Sequence, residues 1–190
     1  MKKVMLVIAL SMAALLAWAQ NENRGLLFQL GLGASFPSYP SDLGTVLDEV
    51  AALPGVTRVQ IDLDVELGIP IVQQSYLMLG VNGCGDRLQD SAGDWMQLNM
   101  YLYSVGIRYY VEVSGLYGEV DIGGSNAVLD SSVGSTISNT TQFSWGGVIG
   151  YDFFPRHRGL SLALEGRYNA YNIDGTLVPT FAAVLDLLYK

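Results

Sequence analysis

The chain has 190 residues, one-domain length, of which 50% are hydrophobic and 15% charged. Its formal net charge is −8, from 18 Asp and Glu against 10 Lys and Arg, which argues against nucleic acid as a partner. With 22 Gly and 11 Tyr among so few charges, the composition excludes a disordered segment.

Lys2 and Lys3 open the chain, an apolar run covers residues 4–16, and Ala17-Trp18-Ala19 follows. This is the pattern of a secretory signal peptide with a small-x-small cleavage site, so residues 1–19 are expected to leave before Gln20. The run is too short for a spanning helix, and no Cys follows the site to suggest a lipoprotein. Residues 20–190 then form one domain, with 8 basic residues left once Lys2 and Lys3 are gone and a net charge of −10. No later stretch reaches eighteen consecutive apolar residues. Cys84 is alone and forms no internal disulfide despite the oxidising route. It is read as a small wall or loop residue.

The first strand is expected over residues 26–36, with Leu26, Phe28, Leu30, Leu32 and Ala34 on one face and Gln29, Gly31, Gly33 and Ser35 on the other. A long connection follows, in which Ser41 caps a short helix through Leu53 before Pro54-Gly55 ends it. The second strand, residues 59–71, is the most regular in the chain. Val59, Ile61, Leu63, Val65, Leu67, Ile69 and Ile71 alternate with Gln60, Asp62, Asp64, Glu66, Gly68 and Pro70. A period of two sends the sets to opposite faces, and thirteen residues make an apolar stripe ~40 Å long. Tilted by ~35–45°, it covers the ~25 Å apolar band that a membrane barrel presents to lipid. Three carboxylates on the other face need water or charge partners rather than a dry core.

A turn near Gln73-Gln74 leads to the third strand, residues 76–84, and the Gly- and Asp-rich stretch from Gly83 to Asp94 reads as a loop. In the fourth strand, residues 97–111, both parities are partly apolar. Arg108 decides for odd positions outward, because an arginine on the lipid face at mid-membrane costs ~2–4 kcal/mol. The fifth strand is expected over 116–122, followed by a polar loop over 123–140. The sixth sets Phe143, Trp145, Ile149, Tyr151 and Phe153 against Ser144, Gly146, Gly150 and Asp152. The seventh sets Leu160, Leu162, Leu164 and Tyr168 against Ser161, Glu165, Arg167 and Asn169, and a turn at residues 172–175 leads to the eighth. The connections alternate long and short, with the last of intermediate length. The fold class is therefore all-β: an eight-stranded antiparallel up-and-down transmembrane barrel, with short turns at one end and longer loops at the other.

The segments at residues 105–111 (Val-Gly-Ile-Arg-Tyr-Tyr-Val) and 146–154 (Gly-Gly-Val-Ile-Gly-Tyr-Asp-Phe-Phe) resemble the small outer-membrane β-barrel family, the eight-stranded proteins of the OmpA, OmpX and OmpW type. The final alternation Phe181, Ala183, Leu185, Leu187 and Tyr189 is similar to the last-strand signal that this family's assembly machinery reads, with Lys190 after the aromatic as a departure. The resemblance implies outer-membrane lipid, periplasmic chaperones and the barrel-assembly machinery as partners, an outer-membrane location and a monomer.

These facings put Arg58, Asp62, Asp64, Glu66, Arg108, Glu119, Asp121, Asp152, Glu165, Arg167 and Asp186 in the lumen. Eight strands leave just enough room for side chains, so such charges are expected to pair as a structural network. The alternatives are a narrow cation-favouring path and, less simply, a metal site of Asp62, Asp64 and Glu66, whose spacing along one strand is too wide to chelate an ion unaided. No cofactor is expected. The only histidine, His157, sits in a short turn between Arg156 and Arg158, which disfavours a Ser/His/Asp enzyme. Gly31-x-Gly33 and Gly83-x-Gly85 are read as wall glycines rather than phosphate loops. The aromatics at either strand end read as interfacial girdles. Asp42, Asp48, Glu49, Asp86, Asp90, Asp94 and Asp130 are assigned to outer loops, where they would meet solvent, divalent cations or a host partner. The expected function is a non-catalytic envelope protein with a structural or surface-contact role. The alternatives are a narrow channel and a secreted, lipocalin-like ligand carrier.

Overall fold

The computed structural model describes residues 25–72, 74–111, 114–134 and 136–190. The expected leader, Gln73 of the first turn and Glu112 of the link after the fourth strand lie outside the described residues. The elements are β1 (Leu27–Pro37), α1 (Ser41–Ala51), β2 (Thr57–Val72), β3 (Ser75–Gln89), β4 (Trp95–Tyr110), β5 (Leu116–Ser131), β6 (Ile137–Ser138), β7 (Gln142–Asp152), β8 (Leu160–Ile173) and β9 (Thr176–Tyr189). Each long strand pairs antiparallel with the next, and β9 returns to pair with β1, so the sheet closes on itself. Closure leaves no unpaired edge. β6 is a two-residue addition on β5, so eight strands form the wall. Among the described residues no helix is long and apolar enough to cross a membrane.

The alternation read in the sequence governs the wall. On β1, Phe28, Leu30 and Leu32 are exposed while Leu27, Gln29 and Ser35 are buried. Val59, Leu63 and Val65 continue the exposed set on β2, as do Tyr103, Val105 and Ile107 on β4 and Val120 and Ile122 on β5. Phe143, Ile149, Leu162, Leu164, Phe181, Leu185 and Leu187 complete it on β7, β8 and β9. An apolar belt of this extent is far larger than the patches soluble monomers expose. Arg108 has no exposed surface, as the odd-outward choice for β4 requires. The same parity holds on β3, where Val81 is exposed and Met78, Asn82 and Cys84 are buried.

Four expectations are corrected. The exposed stripe of β2 ends at Leu67: Ile69 is only 1% exposed, and a register shift between Pro70 and Val72 turns the strand end. Proline offers no ladder donor, so the alternation breaks at that point. Second, β3 runs on to Gln89 and β5 to Ser131, well beyond the expected ends. Their glycines were read as punctuation, but a strand paired on both sides carries them, and Asp86 and Leu88 stay buried on the inner face of β3. Asp86 and Asp130 are therefore strand residues, and Asp48 and Glu49 belong to α1. Third, loop lengths are sorted less cleanly by end. The termini share their end with links 73–74, 111–115 and 153–159; the other end carries 38–56, 90–94, 132–141 and the tight turn 174–175. Asp174 (φ 50°) and Gly175 (φ 85°) both adopt the left-handed backbone that a two-residue hairpin demands. In α1, Ser41 makes no cap: Pro40 precedes the first turn with no side-chain cap bond, and the helix ends at Ala51.

Close strand contact sets the demand for glycine at Gly123. A methyl there would stand 1.9 Å from the Tyr103 carbonyl oxygen, whereas at Gly118 the nearest atom would be the Val148 carbonyl oxygen at 3.8 Å. Gly123→Ala is therefore expected to lower stability by roughly 1–3 kcal/mol, with Gly118→Ala far milder. Urea unfolding of the barrel in detergent, followed by heat-modifiable gel migration, compares the two; equal midpoints would contradict this packing.

Candidate functional site: a layered, charged interior

The interior is built in three layers. At the terminus end, Leu27, Tyr76, Met78, Tyr110, Tyr117, Val148, Ala163 and Leu188 form one buried apolar cluster. At the loop end, Cys84, Met100, Leu102, Ala127, Tyr171 and Val178 form another, with Tyr39, Leu98 and Ile173 packed against it. The charges lie between. Sequence parity places Met100 and Leu102 inward with Arg108, and their gathering with other side chains into apolar layers is what the structure adds. The layers arise because barrel strands cross several depths, and polarity of the inner face varies with depth.

Arg108 on β4 is the hub of the middle layer. Its Nε donates to Glu119 Oε2 (2.5 Å) on β5, its Nη1 to Gln29 Oε1 (2.6 Å) on β1. Its Nη2 donates to Glu66 Oε2 (2.8 Å) on β2 and to Glu165 Oε1 (3.2 Å) on β8. The guanidinium also lies 4.5 Å from the Tyr117 ring centre, and the Tyr117 hydroxyl donates to Glu165 Oε1 (2.6 Å). Arg167 Nη2 sits beside Glu165 Oε2 (2.7 Å), Glu66 Oε1 (3.0 Å) and Asp64 Oδ2 (3.4 Å). Glu66 and Glu165 thus each bridge both arginines. Inward glycines make the room: a methyl at Gly150 would meet the Tyr117 ring at 2.2 Å, and one at Gly31 would meet Asp64 Oδ1 at 1.9 Å.

The eleven charges expected to share the lumen separate into groups. Asp64, Glu66, Arg108, Glu119, Glu165, Arg167 and Asp186 meet in the middle layer, the last through Gln29. Asp121 is 5% exposed and packs where a methyl on Gly106 would stand, 2.1 Å from Asp121 Oδ1. Asp62 accepts from Asn82 Nδ2 (2.7 Å), and Asn82 Oδ1 in turn accepts from Asn169 Nδ2 (2.7 Å) and the Tyr171 hydroxyl. Arg58 and Asp152 are not part of this set. Arg58 lies at the loop-end mouth, bonded to Asp86 and to Asp48 of α1; Asp152 lies at the terminus-end rim with Ser161 and Lys190. At the mouth the Tyr39 hydroxyl donates to Asp86 Oδ2 (3.0 Å), and burial, with the neighbouring Asp86 charge, pushes this phenol's pKa up, so it stays a donor. Gln29, Asn82, Asn169, Tyr117 and Tyr171 were missed as network members. Their inward parity was the available signal.

Among the described residues, the acids Asp62, Asp64, Glu66, Glu119, Asp121, Glu165 and Asp186 share this interior with only Arg108 and Arg167. Asp62 Oδ2, Asp64 Oδ1, Glu119 Oε1 and Asp186 Oδ2 meet no hydrogen-bond donor among the described residues. Metal-ligand geometry is shared by Asp64, Glu165 and Asp186, whose oxygens lie within 4.8 Å of one another, rather than by Asp62, Asp64 and Glu66. The Gln29 amide nitrogen already stands among those oxygens, 3.2, 3.0 and 3.0 Å away, where an ion would sit. His157 is exposed in the terminus-end turn. Phe181, Ala183, Leu185, Leu187 and Tyr189 all face outward on β9.

Breaking the hub by Arg108→Met strands its carboxylate partners and is expected to cost about 3–5 kcal/mol. Adding Glu66→Gln and Glu119→Gln should recover part of that loss. Denaturant midpoints of the single and triple variants test this, and a single variant as stable as the parent would remove Arg108 from its central place.

No protein-family model matches the chain, and no curated protein matches it in sequence. Solved structures do match in fold. Neisserial surface protein A is 15% identical with a TM-score of 0.60, over 88% of this chain and 97% of that one. Ail, the attachment invasion locus protein of Yersinia pestis, is 10% identical with a TM-score of 0.56, over 86% of this chain and 97% of that one. A second structure of Ail, bound to the heparin analogue sucrose octasulfate, is 14% identical with a TM-score of 0.53 and the same coverage. With its closed eight-stranded wall, outward apolar belt and inward charges, the chain has the barrel fold of the small bacterial outer-membrane proteins.

Proposed function

We propose that this chain is an integral protein of a bacterial outer membrane: a sealed, non-catalytic monomer that carries a rigid surface-exposed loop end. The observation that supports it best is the combination of an apolar outside and a plugged inside. Phe28, Leu30, Leu32, Ile107, Val120, Ile149 and Leu185 are exposed where a soluble carrier would show polar groups. Inside, the middle charges lie between two buried apolar layers, an arrangement that supports a closed interior. Residues 1–19 would direct export, and periplasmic chaperones and the assembly machinery would receive β9 through Phe181, Ala183, Leu185, Leu187 and Tyr189. Tyr109, Tyr151, Phe153, Phe143 and Trp145, all exposed, would sit at the two interfaces. The surplus of inner carboxylates favours one second reading, a narrow cation path, should water enter.

A surface role is in keeping with Ail, seen bound to a heparin analogue. The partner here would differ in charge, because the loop end of this chain is acidic. Asp42, Glu49, Asp90, Asp94 and Asp130 outnumber Arg58 and Arg87, and Arg58 is engaged by Asp48 and Asp86.

In planar bilayers the reconstituted barrel should show no resolved conductance steps; steps abolished by Asp64→Ala would replace the sealed reading with the cation path. Val120→Arg, in the outward belt, should lower the folded yield in lipid vesicles by ~2–4 kcal/mol, while Val133→Arg in the loop-end link should leave it unchanged. Equal folding of both would sink the membrane assignment.

A further inference from the structure

Resting on the surface-exposed reading above, we propose that α1 is the contact surface for a basic, amphipathic helical segment of a partner protein. An isolated helix of 11 residues is marginal in water, so α1 needs packing to persist. That packing covers only part of its apolar face. Leu47 is its buried residue, and Asp48 is tied to Arg58 (2.6 Å), which also bonds Asp86 (2.7 Å) in the barrel mouth. The chain entering α1 is fixed as well, by Ser38 N–H donating to the Pro179 carbonyl (2.7 Å) and by Tyr39 on Asp86.

Beside Leu47, on the same half of the helix, the apolar face stays open among the described residues. Leu43, Val46 and Leu53 are 39, 53 and 56% exposed, and Val50 is half-buried. Spaced i, i+3 and i+7, Leu43, Val46 and Val50 fall on one helical face next to Leu47, while Leu53 lies past the helix end. Asp42 and Glu49, both exposed, border that face on one side. This border decides the occupant. Helices that lie in a membrane interface carry lysine and arginine beside the apolar face, to meet anionic headgroups. Acids there repel such a surface and suit a partner with apolar residues flanked by lysine or arginine. Groove-type pairing of two amphipathic helices uses i, i+3, i+7 anchors of this kind. The remaining loop-end charge, from Asp90, Asp94, Asp130 and Asp174 against Arg87, steers the same class of partner.

The test uses the full barrel in discs of zwitterionic phosphatidylcholine. The probes are a labelled leucine–lysine amphipathic peptide of about five helical turns and its leucine–glutamate counterpart, with binding to empty discs subtracted. Expected is binding of the lysine peptide alone, weakened about tenfold or more by D42K with E49K and equally by L43S with V46S. These positions are exposed, so both variants should keep the parent's heat-modifiable migration. Binding unchanged in both variants, or equal binding of the glutamate peptide, would overturn the proposal. So would a fluorophore at Val46→Cys that reports lipid burial in discs without peptide, which would assign the face to the membrane. An antibody tag in the 90–94 link separates the two levels. If it is reached on intact cells while the lysine peptide fails to bind, this inference alone falls; if it is not reached, the surface-exposed reading falls with it.

Discussion

One guanidinium holds this structure's interior in place. Arg108 takes oxygens from β1, β2, β5 and β8 at once while sitting on β4, so five of the eight wall strands meet on a single side chain. A barrel wall in lipid gains no hydrophobic stabilisation from burying its outer face against another element, because lipid tails are as apolar as leucine. What distinguishes one register from its neighbour must then come from inside. A one-residue slip of β4 would carry Arg108 to the apolar side and Tyr109 or Ile107 inward. The hub therefore acts on register as much as on stability, and its worth lies mainly in what would be lost by breaking it.

The polar layer is confined because it is expensive. Buried carboxylates with no donor raise the energy of the fold unless each has a cation, a proton or water nearby. Tyr76, Tyr110, Tyr117 and Leu188 on one side, and Met100, Leu102, Val178 and Tyr171 on the other, place buried apolar side chains between that layer and each mouth. Tyr117 belongs to both environments. Its ring packs in the terminus-end cluster and faces Arg108, while its hydroxyl satisfies Glu165. The inward glycines Gly31 and Gly150 are the counterpart of these large groups, since the lumen of so narrow a wall cannot hold a Tyr and a facing side chain at one height.

Much of this was legible from alternation alone. The facing of every wall strand except β3, the burial of Arg108 and the outward set on β9 follow from parity and from the cost of charge in lipid. The depth of each residue was not legible, because depth depends on strand tilt and stagger, which no single strand encodes. Hence Arg58, Asp62 and Asp152, all inward by parity, fall in different places: the mouth, the asparagine-linked group and the terminus-end rim. The strand ends of β3 and β5 were misjudged for a related reason. Gly83, Gly85, Gly123 and Gly124 are turn formers only when nothing pairs across them, and here both flanking strands do.

On the sealed reading proposed above, the functional question moves to the loop end. A barrel whose middle is closed has little to offer solutes, so selection among its features falls on what stands outside the bilayer. There the same arginine–carboxylate chemistry recurs in exposed form. Arg58 joins Asp86 in the wall to Asp48 on α1, as Arg108 joins strands within. The inner network fixes strands against each other; the outer pair fixes a helix against the finished barrel. A helix held this way orders its free face before any partner arrives, which lowers the entropy lost on binding.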